Sequence, residues 1–104
     1  MSAPPYRLKS TAEFDAIIAD MNRRPGENRV KLKKIQKTLK LLRDHGPSYP
    51  GLHAHPYQSL PPVIPGEPVW EVYVENNTPG AWRLFYCHGP DPDTLTLITV
   101  GPHP

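Results

Sequence analysis

The chain has a single cysteine, Cys87, no acidic residue between Arg29 and Arg43, and nowhere an apolar run of the roughly 18 residues that a membrane span needs. One thiol excludes an intrachain disulfide. Set inside a β-type run it reads as a small half-buried apolar residue, and a reducing compartment suits it. The stretch Met1-Ser-Ala-Pro-Pro-Tyr6 holds no apolar segment of signal-peptide length, so a cytoplasmic location and no membrane partner are expected. His53-Ala-His55 is accompanied by no Cys-x-x-Cys or His-Glu-x-x-His spacing, so neither a metal nor another cofactor is expected.

Proline is what the chain has in excess, with 15 in 104 residues against a usual share of about 5%. Hydrophobic content of 38% and charged content of 21% are those of an ordinary globular protein, and the length suits one domain over 1–104. The formal charge of +2 conceals an uneven distribution. Arg29, Lys31, Lys33, Lys34, Lys37, Lys40 and Arg43 are seven of the twelve basic residues, gathered without an acid among them. Such a run is either a solvated face or a surface for an anion. Lacking i, i+4 partners, its cations repel one another until RNA or an acidic protein relieves them.

Periodicity divides the chain into a short strand and helical hairpin over 6–45, a proline-rich crossover over 46–68 and an antiparallel meander over 69–104. Tyr6-Arg-Leu-Lys9 is the strand, and Ser10-Thr-Ala-Glu13 has capping-box form. Phe14, Ile17, Ile18 and Met21 make one helical stripe; Leu32, Ile35, Leu39 and Leu42 make a second, on a helix capped by Asn28 and stopped at His45-Gly-Pro47. A tight Pro25-Gly26 turn joins the two. Seven prolines from Pro47 to Pro68 exclude a regular helix or central strand across most of that segment. If it is extended, His53 and His55 point to the same side. In the meander, Trp70, Val72 and Val74 alternate with Glu71, Tyr73 and Glu75, and Trp82, Leu84 and Tyr86 with Arg83, Phe85 and Cys87. Asn76-Asn-Thr-Pro-Gly80 has the composition of a hairpin loop. The expected fold is α+β, a β-α-α-β-β-β order with the hairpin packed on one face of a twisted antiparallel sheet and the other face partly open.

Two residues on that open face carry the chemistry. An arginine in mid-strand is costly unless it meets an anion, so Arg83 implies either a salt bridge to Glu71 or Glu75 or a ligand's phosphate. His103 is a proton donor and acceptor near neutral pH or, being penultimate, part of a frayed end. Tyr73 is a sheet-face aromatic or a platform for a splayed base.

The order of these elements, with Trp70-Glu71 in the first meander strand, Trp82-Arg-Leu-Phe-Tyr86 in the second and Val100-Gly-Pro-His103 ending the third, resembles the RelE/ParE toxin superfamily over residues 6 to 104. The resemblance implies a toxin of a type II toxin–antitoxin system, a ribosome-associated endoribonuclease that cleaves mRNA through 2′-hydroxyl attack. It implies a cognate antitoxin, mRNA and the ribosome as partners, and a monomer or homodimer when free of antitoxin. Arg83 matches the strand arginine on the scissile phosphate, and His103 falls where the family places an Arg or a catalytic His. Glu71 and Tyr73 stand where RelE itself uses lysines, so the chemistry resembles that of the YoeB and YafQ types. On this reading Arg83 steadies the phosphate, His103 is the general acid and Glu71 or His55 the base, with no metal required. Lys33, Lys34, Lys37, Lys40, Tyr73 and His53 contact RNA. The alternatives are a ParE-like gyrase-binding toxin, which needs no proton donor, and a non-catalytic interaction module of the same fold.

Overall fold

A computed structural model describes residues 3–76 and 78–103. Strand β1 (Arg7–Ser10) leads into helices α1 (Ala12–Arg23) and α2 (Pro25–His45). A 3-10 turn (Pro50–Leu52) and a two-residue strand β2 (His55–Pro56) lie in the proline-rich segment, followed by β3 (Trp70–Tyr73), β4 (Trp82–His88) and β5 (Thr94–Pro102). The strands form one sheet in the order β1-β5-β4-β3-β2. The α+β architecture is the expected one, but the sheet is mixed, because β1 runs parallel to β5 while every other pair is antiparallel. A strand that leaves the sheet through two helices before the meander returns can enter in either direction, and residue pattern does not fix which.

Both helices bury the predicted stripes. Phe14, Met21, Ile35 and Leu42 are buried against Val72, Leu84, Tyr86, Leu95, Leu97 and Val100, with Ile17, Ile18, Leu32 and Leu39 packed at the margin. Each such side chain contributes about 1.5–3 kcal/mol of transfer free energy. The caps differ from expectation by small offsets. Thr11, not Ser10, caps α1, accepting from the Phe14 amide at 3.1 Å while its hydroxyl donates to the Ile98 carbonyl at 2.7 Å, which pins the helix start to β5. Pro25 occupies the first turn of α2, where its missing N–H costs nothing, so the helix begins at the proline and not after it. Asn28 is therefore inside the helix and donates to the Met21 and Arg24 carbonyls at 3.0 and 3.1 Å, closing the corner between the helices. At the far end Gly46 has φ of 81°, and a Cβ there would stand 2.9 Å from the Tyr6 ring. Only glycine fits that close approach.

The outer face of the sheet is less open than expected. Tyr57, Leu60 and Ile64 of the proline-rich segment cover Val69, Phe85, Cys87 and Ile98, a second small core. Its prolines allow this because β2 is an edge strand, where a ladder donor can be missing. What remains uncovered is the end of the sheet at Glu71, Tyr73 and Arg83, beside the hairpin loop. That loop was expected over 76–80; Asn77 lies outside the described residues.

Two irregularities decide which side chains reach the uncovered end. In β5 the register slips between Phe85 and Tyr86, so that Leu97 faces Tyr86 and Thr99 faces Phe85 with Ile98 bulged between them. Leu95 and Leu97 point to the helices before the bulge, and Val100 does so after it. Unbroken alternation from Leu95 would have sent Gly101 and His103 beneath the helices; the bulge sends both to the outer face. In β3 the regular ladder ends at Tyr73, and the amides of Val74 and Glu75 both donate to the Trp82 carbonyl. Glu75 thereby leaves the face of Glu71 and Tyr73, contrary to the simple alternation, and turns to α2.

Candidate active site

Cross-strand register places the central pair. Tyr73 of β3 lies opposite Arg83 of β4, and Arg83 lies opposite Gly101 of β5, whose missing side chain leaves open space beside it. The Arg83 guanidinium stacks on the Tyr73 ring with its carbon 3.8 Å from the centroid. Its Nη1 donates to the carbonyls of Glu75 and Trp82 at 3.0 and 3.1 Å, and its Nε is buried without a hydrogen bond. Only 3% of the residue is exposed.

No carboxylate among the described residues pairs with Arg83, so the expected salt bridge to Glu71 or Glu75 is not made. Glu75 is taken by Lys31 and Lys34, at 2.6 and 3.1 Å, and by the Trp82 amide at 2.9 Å. The Lys31 ammonium is the main cause of a Glu75 pKa lowered to about 2. These contacts also revise the expectation that the basic helix lacks acidic partners: Glu75 supplies one from the sheet, and Asp44 pairs Arg43 at 2.9 Å.

Glu71 is the second centre. Its side chain is 2% exposed and sits between two imidazoles, with Oε1 2.6 Å from His55 Nε2 and Oε2 3.4 Å from His103 Nε2. His55 reaches it because β2 pairs His55 directly opposite Glu71. His55 Nδ1 lies 2.7 Å from the His53 carbonyl, which only accepts, so Nδ1 carries a proton. The 2.6 Å Nε2···Oε1 contact couples this imidazole to the carboxylate. Glu71 Oε2 is buried and makes no hydrogen bond, with His103 Nε2 as its ionisable neighbour at 3.4 Å.

His103 is not frayed. Its amide donates to the Ala81 carbonyl at 2.8 Å, extending the β4–β5 ladder by one step, and the edge of its ring meets Tyr57 at 6.3 Å between centroids. Nor is the segment around His53 extended, since His53 has φ of 52°, in the left-handed region. His53 and His55 nonetheless both meet Tyr73, at 4.6 and 6.3 Å between ring centroids.

These groups share one cleft of about 540 Å³, lined by His55, Glu71, Tyr73, Arg83 and His103 and by Thr78, Pro79 and Gly80 of the hairpin loop. It offers an unpaired guanidinium, a carboxylate and two imidazoles within a space of small-ligand size. That set can hold an anion and move protons on either side of it. The remaining sequence candidates lie elsewhere: Lys34 and Lys37 border a second cleft with His53 and Tyr73, while Lys33 and Lys40 are exposed on α2 and line neither. Tyr57 and the loop residues 78–80 were not foreseen. Tyr57 follows His55 by two in a segment whose path the prolines conceal, and the loop becomes a wall only once the register is known.

No family model matches the chain, and no curated protein does. The structure superposes on crystal structures of YafQ from E. coli strain BL21(DE3), with a TM-score of 0.61, 18% identity and coverage of 94% of this chain and 93% of that one. It also superposes on the E. coli DinJ–YafQ toxin–antitoxin complex, with a TM-score of 0.62, 17% identity and coverage of 95% and 93%. The motifs of the meander and the three-dimensional match agree on one fold.

Proposed function

We propose that this chain, folded as YafQ is, acts as the toxin of a type II toxin–antitoxin pair and is an endoribonuclease that cleaves mRNA at the Glu71–Arg83–His103 cleft. The observation that carries this reading is Arg83, a buried cation with a bare Nε and no protein carboxylate, placed beside a carboxylate flanked by two imidazoles. Keeping an arginine in that state is expensive for a protein unless a ligand supplies the anion. A phosphodiester is such an anion, and its cleavage needs a base and an acid on opposite sides.

The steps balance without a metal. The Glu71–His55 pair takes the proton of the 2′-hydroxyl, and the 2′-oxygen forms a bond to phosphorus. Charge growing on the non-bridging oxygens is met by Arg83. The bond from phosphorus to the 5′-oxygen breaks, and His103 gives that oxygen its proton. The products are a 2′,3′-cyclic phosphate and a 5′-hydroxyl. The antitoxin partner, the ribosome and the cytoplasmic setting belong to the same reading; among the described residues no helix is long and apolar enough to cross a membrane.

Expression in a host without antitoxin tests it. The parent chain arrests growth and fragments mRNA, and Arg83→Ala and His103→Ala do neither while remaining folded. Arrest that survives both substitutions, with RNA intact and gyrase inhibited, would replace this reading by a protein-binding toxin of the same fold.

A further inference from the structure

Beside the first cleft, across Tyr73, lies a second of about 650 Å³ between α2 and the 3-10 turn. We propose that it seats the nucleotide adjacent to the cleaved linkage, with the base laid against Tyr49 and His53 and a phosphate drawn to Lys34 and Lys37. This rests on RNA being the substrate of the first cleft. Three observations favour a nucleotide over a simple anion or an acidic peptide.

The walls are aromatic and held in place. Tyr49 is braced by the His45 ring at 5.1 Å between centroids, and it lies so close to Gly51 that a Cβ there would stand 3.2 Å from its ring. His53 is stacked on Tyr73 at 4.6 Å. Tyr73 is already covered by the Arg83 guanidinium and by His53, so Tyr49 and His53 are the rings offered to a splayed base, which any sequence can supply. The cations stand at the rim: Lys34 shares Glu75 with Lys31, and Lys37 has no carboxylate partner among the described residues. Tyr73 lines both clefts, so a strand that places its phosphate at Arg83 passes directly from one to the other.

A trinucleotide with 2′-O-methyl groups cannot be cleaved and serves as the probe. Titrated into the chain and followed by NMR, it is expected to shift the amides of Tyr49, His53 and Thr38 together with the Arg83 Nε–H signal. A dinucleotide should bind about tenfold more weakly, the ordinary effect of losing one stacked base. Tyr49→Ala should bring trinucleotide affinity down to that of the dinucleotide and leave dinucleotide binding unchanged. Shifts at Arg83 with silence at Tyr49 and Thr38, or equal affinity for both lengths, would overturn the second seat while sparing the proposed cleavage site. Shifts at Tyr49 with silence at Arg83 would support the seat and sink the cleavage reading. A hexaglutamate peptide that shifts Tyr49 where the trinucleotide does not would overturn the proposal in favour of a protein ligand.

Discussion

Arg83 donates through Nη1 to the backbone carbonyl of Glu75 at 3.0 Å, while the carboxylate of that same residue turns away to Lys31 at 2.6 Å. The two opposite charges nearest each other in sequence across the hairpin are thus kept apart by the break in the ladder after Tyr73. A salt bridge would have neutralised Arg83; its absence leaves the charge for a ligand.

The first prediction concerns that charge. Arg83→Ala should lower RNA cleavage by about 10²–10³-fold, the usual loss on removing a donor that meets developing negative charge. Its stability should hold or rise, because removing a buried cation without a counter-ion lifts a desolvation cost that offsets the packing and the two hydrogen bonds lost. Arg83→Lys keeps the charge but loses the planar stack on Tyr73, and should fall between parent and alanine. Single-turnover cleavage and a melting curve on the same samples check both halves.

Glu75 gives a pH prediction for stability. Its folded pKa is depressed to about 2 from an ordinary value of 4.5, so its contribution is present above about pH 4.5 and is lost as pH falls toward 2. Glu75→Gln should therefore cost on the order of 1–2 kcal/mol at neutral pH, after allowance for the partly exposed lysines that hold it. The difference between parent and variant should shrink on acidification across that window. Denaturant melts at a series of pH values measure it; a gap that widens below pH 4.5 would contradict the assignment.

A third prediction separates the proton-transfer groups from the scaffold. Glu71→Gln, nearly isosteric, should reduce cleavage by about 10²–10⁴-fold. His103→Ala should cost a comparable factor on an ordinary RNA leaving group and far less on one with a good leaving group, which needs no proton. Rates on the two substrates distinguish the acid from the base: loss of the same factor on both would mean that His103 is not the acid.

The bulge supplies a fourth. Deleting Ile98 removes the extra residue and joins Leu97 to Thr99, so alternation becomes regular while Leu97 and Val100 still face the helices and Gly101 and His103 still face outward. Ile98→Ala removes a similar share of the second core and keeps the bulge. Where both variants remain folded, both should retain most of the cleavage, as read from initial rates at a temperature below both melting points. Loss of cleavage in the deletion variant alone would show that the facing of His103 is not what the bulge supplies.

These cases also mark how far the sequence could be read. Alternation around Trp82, Leu84 and Tyr86 put Arg83 on the outer face, and helical spacing placed Phe14 and Ile35 in the core, because both periods are set by backbone geometry alone. His103 on the outer face was a correct reading reached without its cause, since nothing in Thr94 to Pro102 marks Ile98 as the extra residue. Glu75 was assigned to the wrong face for the same reason. A departure from regular pairing depends on what the neighbouring strand offers, and here that is one carbonyl, Trp82, serving two amides. The pairing of His55 with Glu71 joins separate segments, and the hydrogen bond of Asn28 to Met21 depends on how two adjoining helices turn the corner, so no periodic pattern announces either.

The most direct test of the central claim is the chemistry of the cut ends. RNA fragments produced by the purified chain on mRNA-loaded ribosomes should carry a 2′,3′-cyclic or 3′-phosphate on one side and a 5′-hydroxyl on the other by mass spectrometry, and should vanish with Arg83→Ala and His103→Ala. Fragments bearing 5′-phosphates, or cleavage that persists in both variants, would contradict it.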